Sequence, residues 1–509
     1  MKSRVMMQLL LMVAMTISVI GTTPVTPTTT QTTTPIKIGI FAPYPSASSL
    51  SIYGTWTIQG FKLGLIYATG GTNKTIAGRP YQIYTYDTGS SATTATTVAT
   101  NAIETDGIDI MVGGTSSAAA AALQTVAAQY HKLYFITPGA DSSLTGTNFN
   151  KYSFRLARNS YQDAITGITY AWDYTGARNY TIIAPAYSFG YSGAQAMQSE
   201  IIKRGGNIID TVYAPLSAST DFTPYMDRLI NDDQSYGVDN LIVIWAGPGF
   251  NNLYDALSSK NIVNYMNISS GVIDTATMDS VESQLSTGTL VGQTGLSVYG
   301  YKLANNSVND WMVNESISRK IQSDTGYPGS AGSLYVTLPT GYYNNFYVPE
   351  LFTPDGFATA EFLVNITNNV PNLNVDNMIC GLEGMSLMTP KGNETLRPED
   401  HQGLPEMYIA TIVNDTTVGS PSYGHLIGQL VKTLSPQEVA PPIETTYKGC
   451  TPSSVQTTTI SGSVVTTTLG GSSVSTKTVQ IPGFLTPMVL LGLSIVVFSV
   501  KKGKKNKEI

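Results

Sequence analysis

Residues 108–141, IDIMVGGTSSAAAAALQTVAAQYHKLYFITPGAD, decide the fold. A short run that is apolar except for Asp109 (108–112) stops at Gly113-Gly114-Thr115-Ser116-Ser117, and an Ala-rich stretch with helical spacing (118–130) follows. A second apolar run (133–136) then stops at Thr137-Pro138-Gly139-Ala140-Asp141. Two apolar runs without polar alternation, joined by a helix and closed by small residues, read as parallel strands buried on both faces. Outward from this unit the alternation continues. Strands are expected at 36–42 and 81–86, with helices over 55–68 and 92–104. After a break near 154–159 it restarts: a helix from Gln162, strand 180–184, a helix from Ser192, strand 208–213, a helix from Phe222 and strand 240–245. Two successive runs of this kind predict an α/β chain with two lobes, each a parallel sheet covered by helices. Between 286 and 347 the periodicity is weak and reads as loops with short elements.

Composition narrows the function. Of 509 residues 42% are hydrophobic, enough for sizeable cores, while charged residues make up only 12% against about 25% in ordinary soluble proteins. Residues 36–449 hold 20 Lys and Arg against 33 Asp and Glu, so this body carries −13 although the whole chain carries −6. A nucleic-acid binder needs a basic surface, and that class is excluded. Three His and two Cys argue against His/Cys metal sites, so no metal and no cofactor is expected. Cys380 and Cys450 can pair outside the cytosol or stay apart. The chain lacks a G-x-S-x-G elbow, a Walker loop and an H-E-x-x-H helix, and Gly247-Pro248-Gly249 lacks the third glycine of a dinucleotide fingerprint. It does not read as an enzyme.

Both ends read as membrane-directed. Lys2 and Arg4 precede an apolar run, so 1–21 is expected to be a signal segment, followed by a Thr-rich spacer (22–35). Residues 451–480 form a Ser/Thr-rich stalk that would reach roughly 90 Å if extended. Residues 481–500 are uncharged and long enough for a transmembrane helix, and the Lys-rich tail 501–509 is expected in the cytoplasm. The body is therefore expected outside the cell, held by a single pass. Eight N-x-S/T sequons, from Asn73 to Asn414, would suit an exported glycoprotein.

In parallel sheets, ligands bind beyond the carboxyl ends of strands, where helix N-termini present free N–H groups. That places Ser116 and Ser117, and the turn Gly139-Ala140-Asp141, at a candidate site. Capping of the adjoining helices is the plain alternative for Ser116, Ser117 and Asp141. Tyr53, in a loop ahead of the first helix, Phe189 and Tyr191, ahead of a second-half helix, and Trp245, closing a strand, can supply apolar walls or simply pack.

A resemblance rests on segments that run in order along the chain: IKIGIFAPYPS, YGTWTIQGFKLGL, VGGTSSAAAAALQTVA, FITPGADSSLTG, FRLARNSYQDA, SFGYSGAQAMQSEIIKRGGNII and LEGMSLMTPKGNETLRPEDHQGLPEMYIATIV. Together they make the core resemble the type I periplasmic binding proteins, in the branched-chain amino acid (Leu/Ile/Val-binding) group of ABC-transporter receptors. The stalk and last helix resemble the archaeal membrane-anchored form. The resemblance implies two Rossmann-like lobes, the N-terminal from 36–156 plus about 288–399 and the C-terminal from 157–287 plus about 400–432. They would close on a small-molecule ligand and deliver it to an ABC permease in the membrane. It implies that Ser117 binds a ligand carboxylate, that the Gly139 backbone takes an ammonium, and that Tyr53 and Phe189 line the pocket. Trp245 and Asp274 fall near second-lobe positions, Asp274 as a partner for an ammonium. One departure stands out: Asp141 occupies a turn where amino-acid binders usually carry Ser or Thr. An ionised Asp141 would repel a carboxylate by about 4 kcal/mol at about 4 Å for an effective dielectric near 20, which favours an amide, a polyol or a cation. The alternative to a receptor is a structural or adhesive surface glycoprotein that keeps the fold without a ligand.

Overall fold

The computed structural model describes residues 34–44, 48, 50–71, 75–270, 294–319, 348–450, 458–460 and 463–465. The expected signal and transmembrane segments and the cytoplasmic tail lie outside these, as do Asp274 and most of both spacers. Among the described residues no helix is long and apolar enough to cross a membrane. The chain divides into a unit spanning Met1–Ser453 and a unit spanning Ser454–Ile509.

In the first unit, strands β1 (Ile36–Ala42), β2 (Tyr81–Asp87), β3 (Ile110–Gly113), β4 (Leu133–Ile136) and β5 (Ser153–Arg155) form a parallel sheet in the order β2-β1-β3-β4-β5. Helices α1 (Ser51–Thr69), α2 (Ala92–Asn101) and α3 (Ser117–Gln129) connect the first four strands. Side chains sort by parity, as a pleated strand requires. Ile38 and Ile40 of β1, Ile110 and Val112 of β3, and Leu133 and Phe135 of β4 enter one core with Ile58, Phe61 and Leu65 of α1. Phe41, Met111, Tyr134 and Ile136 enter the core on the opposite face, against Ala95 and Ala99 of α2 and Ala119, Ala120, Leu123 and Val126 of α3. The Ala-rich face of α3 lets that helix sit close to the sheet.

The second sheet repeats the plan. Helices α4 (Ser160–Asp173), α5 (Ser188–Arg204), α6 (Thr223–Tyr236) and α7 (Phe250–Ser259) alternate with strands β6 (Asn179–Pro185), β7 (Asn207–Ala214), β8 (Asn240–Val243) and β9 (Asn267–Ser270). The strands are parallel in the order β7-β6-β8-β9. In each sheet the first strand sits between the second and third, so both reverse direction beside their own first strand. Crevices open at such points.

The remainder joins the halves. It holds β10 (Thr294–Ser297), α8 (Ser307–Arg319), α9 (Thr353–Asn369), α10 (Val375–Leu382), β11 (Ser386–Thr389), β12 (Gly392–Leu396), β13 (Gly403–Leu404), β14 (Met407–Asn414) and β15 (Leu426–Leu434). Helix α9 crosses α1 so closely that a Cβ on Gly60 or Gly64 would collide with the backbone of Thr353 or Phe357. Strands β10, β14 and β15 form an antiparallel sheet, with the central strand β14 buried along most of its length and the edge strand β15 exposed along its middle. Tyr408 and Ala410 pack with Leu63 and Phe357, while Met407 and Ile409 pack towards Ile165 and Tyr170 of α4.

Two expectations are corrected. Tyr53, Phe189 and Tyr191 lie in the opening turns of α1 and α5 rather than in loops before them. The stretch of weak periodicity contains α8, whose buried face includes polar Asn309 and Ser316 beside Val308 and Met312. Asn309 donates to the carbonyls of Tyr301 and Ala304 and accepts from Tyr299, so a hydrogen-bonded polar side chain stands where an apolar one would have marked the helix. Cys380 and Cys450 form a disulfide. In the second unit, Thr458–Ile460 pairs antiparallel with Ser463–Val465.

Candidate functional site

The turn after β3 is shaped by two glycines at positive φ, Gly113 (125°) and Gly114 (92°). No side chain fits at either: a Cβ on Gly113 would strike the Phe41 carbonyl, and one on Gly114 the Tyr134 hydroxyl. The turn delivers Ser116 and Ser117 to the start of α3, where they do different work. Ser116 is the N-cap; its Oγ accepts from the Ala119 N–H (3.1 Å) and donates to the Ser90 carbonyl (3.0 Å). Its hydroxyl is thereby spent on structure. Ser117, nearly buried, accepts from the Asp141 N–H (3.2 Å), and its own proton has no acceptor among the described residues.

The turn after β4 lies alongside. The Gly139 N–H donates to the Gly114 carbonyl (3.1 Å), and the Ala140 carbonyl accepts from both the N–H (2.9 Å) and the hydroxyl (3.1 Å) of Ser160. The carbonyls of Gly139 (3.2 Å) and Asp141 (2.6 Å) accept from Nη1 of Arg155, whose Nε donates to Gln402 (2.7 Å) and Nη2 to Thr145 (2.5 Å). Arg155 is fully buried; burial pushes its pKa down to about 9, against the pull of Asp141 and Asp400, so it remains a cation at neutral pH. The Asp141 carboxylate accepts from the Ser143 N–H (2.9 Å) and caps its own short turn. That capping bond engages one carboxylate oxygen within the turn.

From the other half, α5 begins without a side-chain cap at Tyr187. Ser192 on α5 accepts from the Ser142 N–H (3.1 Å), its hydroxyl lies 3.1 Å from that of Ser142, and it donates to Ser160 (3.1 Å). Phe189 shares a core with Ala140, Ala184 and Ile244. The structure thus brings Ser117, Gly139, Ala140, Asp141 and Phe189 together where the two sheets' strand ends meet. Tyr53 stands in a neighbouring aromatic cluster, edge-on to Phe352 (5.2 Å) and near Trp56 (5.5 Å), and Ala246 from the other half packs against that cluster.

Trp245 does not join them. Leu241, Val243 and Trp245 point to one face of the second sheet and Ile242 and Ile244 to the other. That parity buries Trp245 against Phe222 (5.0 Å), with its indole N–H on the Pro248 carbonyl (3.0 Å). It is core.

Several participants escaped the sequence reading. Arg158, nearly buried, donates from Nη1 to the Pro138 carbonyl (3.1 Å), lies 3.4 Å from Asp163 and sits 5.3 Å from the centre of the Phe352 ring. The signal was available: two arginines within five residues of a charge-poor chain, at the very break between its halves. Burial, opposed by Arg158 and Lys391, pushes the Asp163 carboxyl up to about 6. Behind it Lys391 and Asp355 form an ion pair (2.5 Å) with both side chains fully buried. Glu394 is pushed up to about 7 by burial despite Lys391 beside it, and Glu361 to about 9 by burial and then by Glu394. Finally, the hydroxyls of Thr88, Thr115 and Thr137 are buried without hydrogen-bond partners among the described residues, one just beyond each of β2, β3 and β4. Each such group costs about 1–3 kcal/mol. Among the described residues no group of three or more His, Cys, Asp or Glu is arranged to hold a metal.

The sequence model of a family described as periplasmic binding protein matches residues 35–313. The chain is 23% identical over 432 residues to a "Leu/Ile/Val-binding protein homolog 4" of Brucella abortus, an alignment covering 81% of this chain and 91% of that one. A solved structure of an ABC-type branched-chain amino acid transporter from Rhodopseudomonas palustris is 28% identical, with a TM-score of 0.64, covering 81% of this chain and 99% of the other. A solute binding protein of an ABC transporter from the same species, in complex with p-hydroxybenzoic acid, shares the fold with a TM-score of 0.65 at 17% identity, covering 79% and 97%.

Proposed function

The chain belongs to the periplasmic binding protein family, and from that premise we propose that it is the extracellular substrate-binding protein of an ABC importer. It captures a small polar solute, an amino acid or an amide-like molecule, between its two lobes. The observation that carries this reading is the meeting of the turn 139–142 with the start of α5, together with hydroxyls at three strand ends that have no partners among the described residues. A polar ligand reaching those hydroxyls would offset their desolvation. Ser117 is the natural donor to a ligand carboxylate or carbonyl, the uncapped N-terminus of α5 adds electrostatic support from the second half, and Phe189 supplies an apolar wall. Gly139 offers its carbonyl's second lone pair, the first being held by Arg155.

The same reading assigns residues 1–21 to export, 451–480 to a stalk and 481–500 to a single membrane pass, as in archaeal anchored receptors. Without an outer membrane a free receptor diffuses away, and a tether keeps its effective concentration at the permease high. A thermal-shift screen of the full chain against amino acids, amides, aromatic acids and polyols tests the proposal. A solute at about 100 times its Kd stabilises the fold by about 2.7 kcal/mol. Silence across the panel supports the adhesive-glycoprotein alternative.

A further inference from the structure

After β15 ends at Leu434 the chain returns across the molecule as residues 435–450, and each part of that segment holds a different element. Val439 is fully buried with Leu296, Met407 and Ile409, against Ile165 and Tyr170 of α4. The Pro441 carbonyl accepts from Nη1 of Arg397 (2.8 Å), just beyond β12. The Glu444 carboxylate accepts from the Tyr161 hydroxyl (2.9 Å) in the first turn of α4. Tyr447 then lies against Phe149 (4.9 Å) and edge-on to His401 (5.3 Å), whose ring stacks on Phe154 of β5 (3.8 Å).

The end of the segment is fastened twice. Glu383, one residue past α10, accepts from the Tyr447 hydroxyl (2.7 Å) with one oxygen and from the Cys450 N–H (2.6 Å) with the other, and the first oxygen lies 3.1 Å from Nε2 of His401. Cys450 is joined covalently to Cys380 of α10. Helix α10 packs in the core of the first sheet, through Met378, Ile379 and Leu382. The segment therefore starts in packing with the second half and finishes bonded to the first.

We propose that residues 435–450 are a strap that crosses between the lobes, is locked to the first lobe at Cys380 and Glu383, and limits how far the lobes part. The six residue steps from Glu444 to Cys450 span at most about 20 Å when fully extended. Wide opening must therefore pull Glu444 from Tyr161 or Val439 from its core. The strap thereby ties Cys450 to the first lobe, and the second lobe is the one left to move. The inference stands on the two-lobed fold and is independent of the receptor reading.

Pulsed electron–electron distance measurement on the ligand-free full chain tests it. Spin labels go on genetically encoded keto amino acids at Thr93 (α2) and Asn231 (α6), both exposed, so that the native cysteines stay untouched. The intact chain should give a narrow distribution. Cys380→Ser with Cys450→Ser should shift it to longer distances and broaden it, and Tyr161→Phe, with the disulfide intact, should do so to a lesser extent. An unchanged distribution in the folded double variant overturns the strap. Should that variant fail to fold, an unchanged distribution in Tyr161→Phe overturns it instead. A protein that binds no solute would still show these shifts, so the two proposals fail separately.

Discussion

The two walls of the candidate cleft are built to different standards. On the first-lobe side, the turns after β3 and β4 are bonded to each other, and the guanidinium of Arg155 grips the Gly139 and Asp141 carbonyls, Thr145 and Gln402. On the second-lobe side, α5 starts without a side-chain cap and reaches across through Ser192 and Phe189. On the proposed reading, the contrast implies an order of events: a solute would dock on the wall already shaped for it, and the looser wall would close over.

Arg155→Met should break the contrast most severely. It removes a buried cation and leaves two carbonyls, Thr145 and Gln402 without their donor, at a cost on the order of 3–5 kcal/mol. Chemical denaturation reads this directly; a loss below about 1 kcal/mol would show that the turn holds itself. The acid cluster behind the first-lobe wall comes next. Asp163, Glu394 and Glu361 have folded pKa values raised to about 6, 7 and 9, so they hold protons that the unfolded chain releases near pH 4. The unfolded state then binds fewer protons, and stability falls as pH rises from about 4 towards 8. Glu383 and Asp415, both pulled down chiefly by hydrogen bonds that outweigh burial, act oppositely and lose stability only in stronger acid. The denaturation midpoint should therefore be higher at pH 5 than at pH 8, and Glu361→Gln should flatten the difference. A higher midpoint at pH 8 would contradict this balance.

How much of this the sequence showed depends on what each residue's partners are. The parallel sheets were legible because β3 and β4 carry unbroken apolar runs, and the turn chemistry of Gly113-Gly114 and Pro138-Gly139 marked their ends. Helix α8 was hidden because Asn309 takes an apolar position and meets its hydrogen bonds through residues outside the helix. Trp245 was misplaced because nearness to a strand end does not reveal which face a side chain takes; parity with Leu241 and Val243 does. Arg155 and Gln402 were beyond reach because their pairing joins positions 247 residues apart.

Smaller changes sharpen the comparison. Asp141→Ala removes the cap on the short turn after β4 and should cost about 1 kcal/mol in the same denaturation assay. Ser192→Ala removes a link between the walls and should cost about 0.5–1.5 kcal/mol, with a larger relative effect on solute dissociation rate than on stability. Equal effects on both would mean that the link belongs to the fold alone.

The most direct test of the account is a crystal structure with the solute that stabilises the protein most in the screen. The account predicts the solute between the two sheets' strand ends, within hydrogen-bonding distance of Ser117 and against the ring of Phe189. A solute seated elsewhere, with Ser117 still bonded only to Asp141, would contradict it.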